Sequence, residues 1–325
     1  MAYFDPNMKS AAPIIKNSSK NQLHPNSFHH KDYNFESLCQ ALPALKPFVF
    51  TNKYGTNTID FANNQAVKQL NKALLAHFYK IHDWQIPEGY LVPPIPGRVD
   101  YLHYVADLIS QDVNSANPNI RCIDIGIGAN CIYPLVGASL YNWQFTGTEI
   151  DEIALEAAKK NVAANPKIAS NIELKQQYNS NDIYYGTVRK NDFFELSICN
   201  PPFHASAQEA LAANQRKVKN LGKQKTRKST LNFGGTANEL WCQGGEKRFV
   251  LNMMRQSAKF KQNILWFTTL VSKESHLGQL RASLNQYKPA DVKTIEMGQG
   301  NKKSRILAWT FFNEQERNEW LAKRK

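Results

Sequence analysis

Arg121-Cys-Ile-Asp-Ile-Gly-Ile-Gly-Ala-Asn-Cys-Ile-Tyr-Pro-Leu135 decides how the rest of the chain is read. Arg121–Ile125 is a short β-prone run, Gly126 and Gly128 break it, and an apolar helical stretch follows. A strand that enters a helix through glycines brings backbone N–H groups and the positive end of a helix to one point. Outward from this unit, β-prone runs alternate with helical patterns. Strands are predicted at 121–125, 144–148, 171–175, 193–199, 263–270, 292–296 and 305–312. Helices are predicted at 100–113, 129–140, 151–164, 245–260, 275–286 and 313–323. Such alternation gives a mainly parallel sheet with helices on both faces. The stretch MGQGNKKS before Arg305 is too short for a crossover helix, so the final strand must run antiparallel to its predecessor.

The glycine spacing alone leaves the ligand open. A dinucleotide turn wants a third glycine where Cys131 stands. Asp124, two residues before Gly126, makes the stretch DxGxG, a pattern suited to S-adenosylmethionine. Glu149 closes the second strand, 23 residues after Gly126, where a carboxylate can accept both hydroxyls of a ribose. Asp151 is placed to cap the next helix. The fourth strand ends in Cys-Asn-Pro-Pro-Phe (199–203), with two successive rings that lack N–H groups and hold the backbone extended. All three motifs fall at the carboxyl edge of the sheet, where open α/β folds bind ligands.

The 325 residues carry 40 Lys+Arg against 27 Asp+Glu, a net charge of +13 that favours a polyanionic partner. Between strand four and the next helix lies a long polar stretch, 205–245. Its middle concentrates Arg216, Lys217, Lys219, Lys223, Lys225, Arg227 and Lys228 without an acidic residue. Residues 1–22 read as a flexible leader. Asn63–Lys80 spaces Val67, Leu70, Leu74, Leu75 and Phe78 as an amphipathic helix, and the proline-rich 86–98 reads as a connector. There is no signal-peptide pattern and no apolar run long enough to cross a bilayer, and the five scattered cysteines suit a reducing cytoplasm. The absence of heptads or an apolar stripe favours a monomer. His24, His29 and His30 lack Cys or carboxylate partners at ligand spacing, so no metal site is expected.

DxGxG, the strand-two acid and NPPF together resemble class I methyltransferases that modify amino nitrogens. LHPNSFHHKDYNFESLCQALP (23–43), PPIPGRVDYLHYVADL, DIGIGANCIYPL, CNPPFHAS, NFGGTANELWCQGGE and ILAWTFF extend the likeness over residues 23–312. In this order they resemble the bacterial family that makes N6-methyladenine in large-subunit (23S) ribosomal RNA. The resemblance implies a Rossmann-like α/β fold: a seven-stranded, mostly parallel sheet with an antiparallel last strand, plus an N-terminal extension. It implies an RNA-binding extension at 23–97 and a methyltransferase domain at 98–325, with 205–245 as its basic substrate loop. It also implies S-adenosyl-L-methionine held by Arg98, Asp124, Gly126, Gly128, Asn130, Glu149, Ser180 and Asn200, with Asn200, Pro201, Pro202 and Phe203 as the catalytic stretch. The basic residues of the loop, with His29, His30 and Lys31, are the expected phosphate contacts on 23S RNA or a pre-ribosomal particle. Two other readings use the same motifs: methylation of a glutamine amide in a translation factor, and a non-catalytic RNA-binding protein on a methyltransferase fold. The first wants tyrosine in place of Phe203, and the second has no use for an intact cofactor pocket.

Overall fold

A computed structural model describes residues 14–15, 23–112, 119–206, 208–209, 240–299 and 302–323. The predicted strands are all present: β4 (Arg121–Ile125), β5 (Gln144–Glu149), β6 (Ile172–Gln176), β7 (Phe194–Cys199), β8 (Ile264–Val271), β9 (Asp291–Gln299) and β10 (Lys302–Thr310). They form one sheet in the order β9-β10-β8-β7-β4-β5-β6. All neighbours are parallel except β10, which runs antiparallel to both β8 and β9. The sheet gains one strand that sequence reasoning did not foresee. β1 (Ile14–Ile15), within the leader, pairs parallel with β9 and makes the sheet eight-stranded.

Both faces of the sheet are covered. The buried side chains of β7 and β8 are continuous, the pattern of strands with helices on each side. Helices α4 (Ile132–Tyr141), α5 (Glu152–Ala163), α6 (Pro166–Ala169), α7 (Gly245–Ser257), α8 (Glu274–Asn285) and α9 (Glu314–Ala322) follow or intervene between strands. Asp151 caps α5 by accepting from Ile153 and Ala154, the structural role its position predicts. Met253 and Met254 lie wholly inside, as core. No helix among the described residues is long and apolar enough to cross a membrane.

The N-terminal segment contributes α1 (Phe35–Ala41), a 3-10 turn (Pro43–Phe48), a small hairpin of β2 (Val49–Thr51) and β3 (Asn57–Ile59), and α2 (Asn64–Tyr79). Asn63 caps α2 through two backbone N–H groups. Leu38, Leu70, Leu74 and Leu75 belong to the same hydrophobic cluster as Val99, Leu135 and Leu196, so extension and sheet share a core. The connector is also more ordered than its prolines suggest. α3 spans Ile95–Ser110, and Ile95-Pro-Gly-Arg98 is its first turn. Pro94 and Pro96 sit where a helix has no use for their missing N–H groups, so they start the helix rather than prevent it. Arg98 therefore projects from a helix.

Candidate active site

At the carboxyl ends of β4, β5 and β7 lies a cleft of ≈ 980 Å³. It is lined by Arg98, Gly126, Gly128, Asn130, Glu149, Ser180, Asn200 and Pro202, so one sheet edge brings eight of the sequence-predicted residues together. Gly126 has φ +73 and Gly128 φ +62, and a Cβ on Gly126 would face open space. The first glycine is required by backbone conformation, and its position leaves room for a ligand against the main chain.

Glu149 is buried, and its carboxylate is fixed by three backbone donors. Gly128 N–H donates to Oε2 at 2.8 Å, and Ile150 and Asp151 donate to Oε1 at 2.8 and 3.0 Å. Burial raises its carboxyl above the ordinary range, while the same three bonds pull it back. With two donors on Oε1 and one on Oε2, Oε2 keeps a lone pair for a further donor. Asp124 departs from expectation: it does not line the cleft but is sealed within β4, 1% exposed. Both its oxygens lack a partner among the described residues. Burial pushes its carboxyl well above the usual range, the charge of Glu149 adds to this, and Arg98 opposes it.

Arg98 reaches the cleft beside Tyr133, donating to its hydroxyl at 3.0 Å with the guanidinium 5.7 Å from the ring centre. Asn130 accepts from Ile132 through its side chain, and its carbonyl accepts from the Trp84 indole at 2.8 Å. The N-terminal segment thus supports the glycine turn directly. Asn161 of α5 continues the stitching, donating to Gln85 and Ala129 carbonyls.

The end of β7 holds Asn200 with its side-chain oxygen buried and unpartnered among the described residues. Pro201 is buried and Phe203 half-buried, and neither lines the cleft. The aromatic residues that line it are Tyr133, Trp241, Phe249 and Tyr287. Tyr133 lies in a helix whose run of apolar residues gives only a core signal. From sequence, the stretch Trp241 to Glu246 is expected at the pocket entrance, and Trp241 does line the cleft.

His29 corrects another expectation. It is buried and engages both ring nitrogens, with Tyr79 at 2.8 Å and Tyr33 at 3.0 Å, so it is sealed from a phosphate by the packing of the segment. His30 and Lys31 are exposed. Arg216, Lys217, Lys219, Lys223, Lys225, Arg227 and Lys228 lie outside the described residues. No group of three or more His, Cys, Asp or Glu among the described residues is arranged to hold a metal.

Residues 17–313 match the RNA methyltransferase family. The chain belongs to this family. It is 52% identical over 289 residues to the ribosomal RNA large subunit methyltransferase F of Christiangramia forsetii, covering 89% of this chain and 100% of that one. The protein of the same name from Pectobacterium carotovorum is 49% identical over 306 residues, covering 94% and 98%. Among solved structures, the catalytic domain of hMettl16 in complex with the MAT2A 3′UTR hairpin 1 superposes with a TM-score of 0.76 at 30% identity, covering 90% of this chain and 96% of that chain. The N-terminal domain of human METTL16 in complex with SAH gives 0.72 at 27% identity, covering 90% and 99%.

Proposed function

We propose that the chain transfers a methyl group from S-adenosyl-L-methionine to the N6 amino group of an adenine in large-subunit ribosomal RNA. One observation carries the reading. Asn200, whose amide oxygen is buried and without a partner among the described residues, lines the same cleft as the Gly126 turn and Glu149. Buried polar atoms are nearly always paired in folded proteins, so an unpaired acceptor on a cleft residue suits an incoming donor.

The residues present fit the methyl donor. Glu149 would take the ribose hydroxyls, Arg98 the carboxylate, the Gly126 turn the close approach, and Asn130 and Ser180 the remaining edges. Asp124, set behind the cleft, would act through the field it shares with Glu149 and Arg98. Once bound, S-adenosylmethionine supplies a methyl already activated on a cationic sulfur.

What the protein must add is a nucleophile. The adenine amino group is a poor one because its lone pair is drawn into the ring. The Asn200 side-chain oxygen and the Pro201 carbonyl accept its two N–H groups and draw the nitrogen towards a tetrahedral shape. Pro201 and Pro202 stiffen that stretch, so the acceptors are in place before the base arrives. Phe203 offers its ring to the extruded base or to its neighbour, a contact worth ~1–3 kcal/mol. The base must leave its stack to reach the cleft, and the basic residues between Arg216 and Lys228, with His30 and Lys31, hold the phosphates beside it. We assign residues 23–97 to gripping the RNA. The enzyme works as a cytoplasmic monomer on 23S RNA or a pre-ribosomal particle.

The test incubates the purified chain and labelled S-adenosylmethionine with ribosomal RNA from cells lacking the gene, followed by digestion to nucleosides. Label is expected in N6-methyladenosine. Label confined to a protein fraction, or to another nucleoside, overturns the proposal. The same digest, taken through fragments, maps the adenosine.

A further inference from the structure

Trp241 stands where the chain returns from its long excursion after β7. His204 forms an isolated parallel bridge with it: the His204 N–H donates to Leu240 at 2.9 Å and the Cys242 N–H donates to His204 at 3.1 Å. Two chain segments more than thirty residues apart thus close a neck beside Asn-Pro-Pro-Phe. The neck is tight. Gly245, at φ +63, would place a Cβ 3.2 Å from the Ala205 nitrogen.

A buried acid locks it further. Glu246, at the start of α7, accepts from the Ser272 N–H at 2.8 Å and from the Ser272 hydroxyl, and meets His276 Nδ1 at 2.9 Å. The segment is therefore held at Trp241 by His204 and, five residues later at Glu246, by Ser272 just after β8 and His276 of α8. Its ring lines the cleft together with Asn200 and Pro202. Its indole nitrogen is buried and has no partner among the described residues.

Among the described residues, two that line the cleft thus carry buried, unsatisfied polar atoms of opposite kind. Asn200 offers an acceptor, and an indole N–H can only donate. Adenine presents an amino donor with a ring-nitrogen acceptor next to it, on either its Watson–Crick or its Hoogsteen edge. Guanine and uracil put a carbonyl where the amino group would be. Against them the Asn200 oxygen would meet another oxygen, and on the Watson–Crick edge the indole would meet a ring N–H. Cytosine shares the amino pattern on its Watson–Crick edge, so this pair of atoms separates amino bases from keto bases.

We infer that Trp241 reads the target base: its indole N–H donates to a ring nitrogen of the adenine whose amino group Asn200 holds. The inference rests on the adenine reading above and adds a specificity determinant to it. Trp241 and Asn200 then form one recognition edge, contributed from opposite sides of the insertion. A keto base leaves the Asn200 oxygen buried and unpaired, and on its Watson–Crick edge the indole as well, which penalises it more than a correct base is rewarded. The neck at His204 gives the edge its register.

An oligoribonucleotide spanning the mapped adenosine is made with adenosine, 1-deazaadenosine or 7-deazaadenosine at that position, and kcat/KM is measured with wild-type protein and W241F. Methylation of the unmodified RNA by wild type tests the parent reading by itself. The expected result is about a tenfold loss for one analogue with wild type, a similar loss for W241F on adenosine, and no further loss when the two changes are combined. W241H, which keeps a ring N–H, recovers part of the activity. Losses that multiply for both analogues, or W241F equal to wild type, overturn the inference. So does weaker binding of S-adenosylhomocysteine by W241F in the absence of RNA, because the indole would then be holding the cofactor.

Discussion

The Cys199 backbone N–H donates to the Tyr101 hydroxyl at 3.3 Å, one residue before Asn200. Tyr101 in turn meets Thr268 Oγ1 at 2.7 Å, and Thr268 donates to the Ser197 carbonyl at 2.9 Å. With one proton on each hydroxyl, the order must be Cys199 N–H to Tyr101, Tyr101 to Thr268, Thr268 to Ser197. The paired register of β7 with β8 ends at Ser197 and Phe267, whereas β7 stays paired with β4 up to Cys199. Two hydroxyls from α3 and β8 thus replace the ladder where the strands separate, and they fix the backbone that carries Asn200. Tyr101 also packs edge-on against Tyr133, which holds Arg98.

Tyr101→Phe removes the hydroxyl and keeps the ring. It leaves a buried N–H unpaired, so stability should fall by about 1–2 kcal/mol. Acting through the Asn200 backbone, it should also lower kcat by roughly tenfold with KM for S-adenosylmethionine little changed. Steady-state kinetics beside thermal melts decide it. A melt that shifts while kcat stays put would make Tyr101 a core residue only.

Asn200→Ala deletes the buried acceptor without touching the glycine turn or Glu149. Turnover should drop by at least about a hundredfold, the range of lost transition-state hydrogen bonds. Calorimetric binding of S-adenosylhomocysteine should change only a few-fold. If the variant turns over normally, the amino group is held by something else.

These two residues differ in how far the sequence announced them. Asn200 was legible because two prolines and an aromatic after a β-prone run have few structural uses, and Glu149 because a strand-two acid has a place in the fold. The mainly parallel sheet with its antiparallel last strand was legible for a similar reason: alternation of periods leaves little topological freedom. Tyr101 and Tyr133 were not, since an aromatic residue in an apolar helix looks the same whether it fills space or also aims a hydroxyl. Trp241 could be placed near the pocket entrance, but its bridge to His204 was hidden by the insertion between them. His29 misled in the other direction: a histidine pair beside a lysine reads as a phosphate contact until Tyr33 and Tyr79 are seen to enclose it.

Glu149→Gln keeps the size of the side chain but gives up one acceptor oxygen. Gly128 donates to one oxygen, and Ile150 and Asp151 to the other, so an amide must turn its NH₂ towards at least one backbone N–H. The loss falls on the strand-two turn and the glycine turn at once. Affinity for S-adenosylhomocysteine should weaken at least about tenfold, an effect of the size of one charge-assisted bond. Equal affinity by calorimetry would exclude Glu149 from the cofactor site.

The acid side of the stability profile should be set by the N-terminal segment. Burial, then the nearby His103 and His30, pushes His29 down to about 4, and burial with His24 does the same to His103. Their ordinary value is 6.5, so the stability they contribute is full above pH 6.5 and is lost as the pH falls towards 4. Asp100, beside His24, is moved the opposite way, up to about 6 by burial. Its contribution is full below its ordinary 3.8 and is lost as the pH rises through 6, so it offsets the histidines between pH 6 and 4. His103 stacks on His24 at 5.0 Å and meets the Tyr141 hydroxyl at 2.6 Å, and His24 meets Asp107 at 2.8 Å. His103→Phe should therefore lower the melting temperature at pH 7.5 and flatten its fall between pH 6.5 and 4.5. Asp100→Asn should steepen that fall. Melting curves across this range carry the comparison, and parallel profiles for all three proteins would mean that the acid limb is set elsewhere in the molecule.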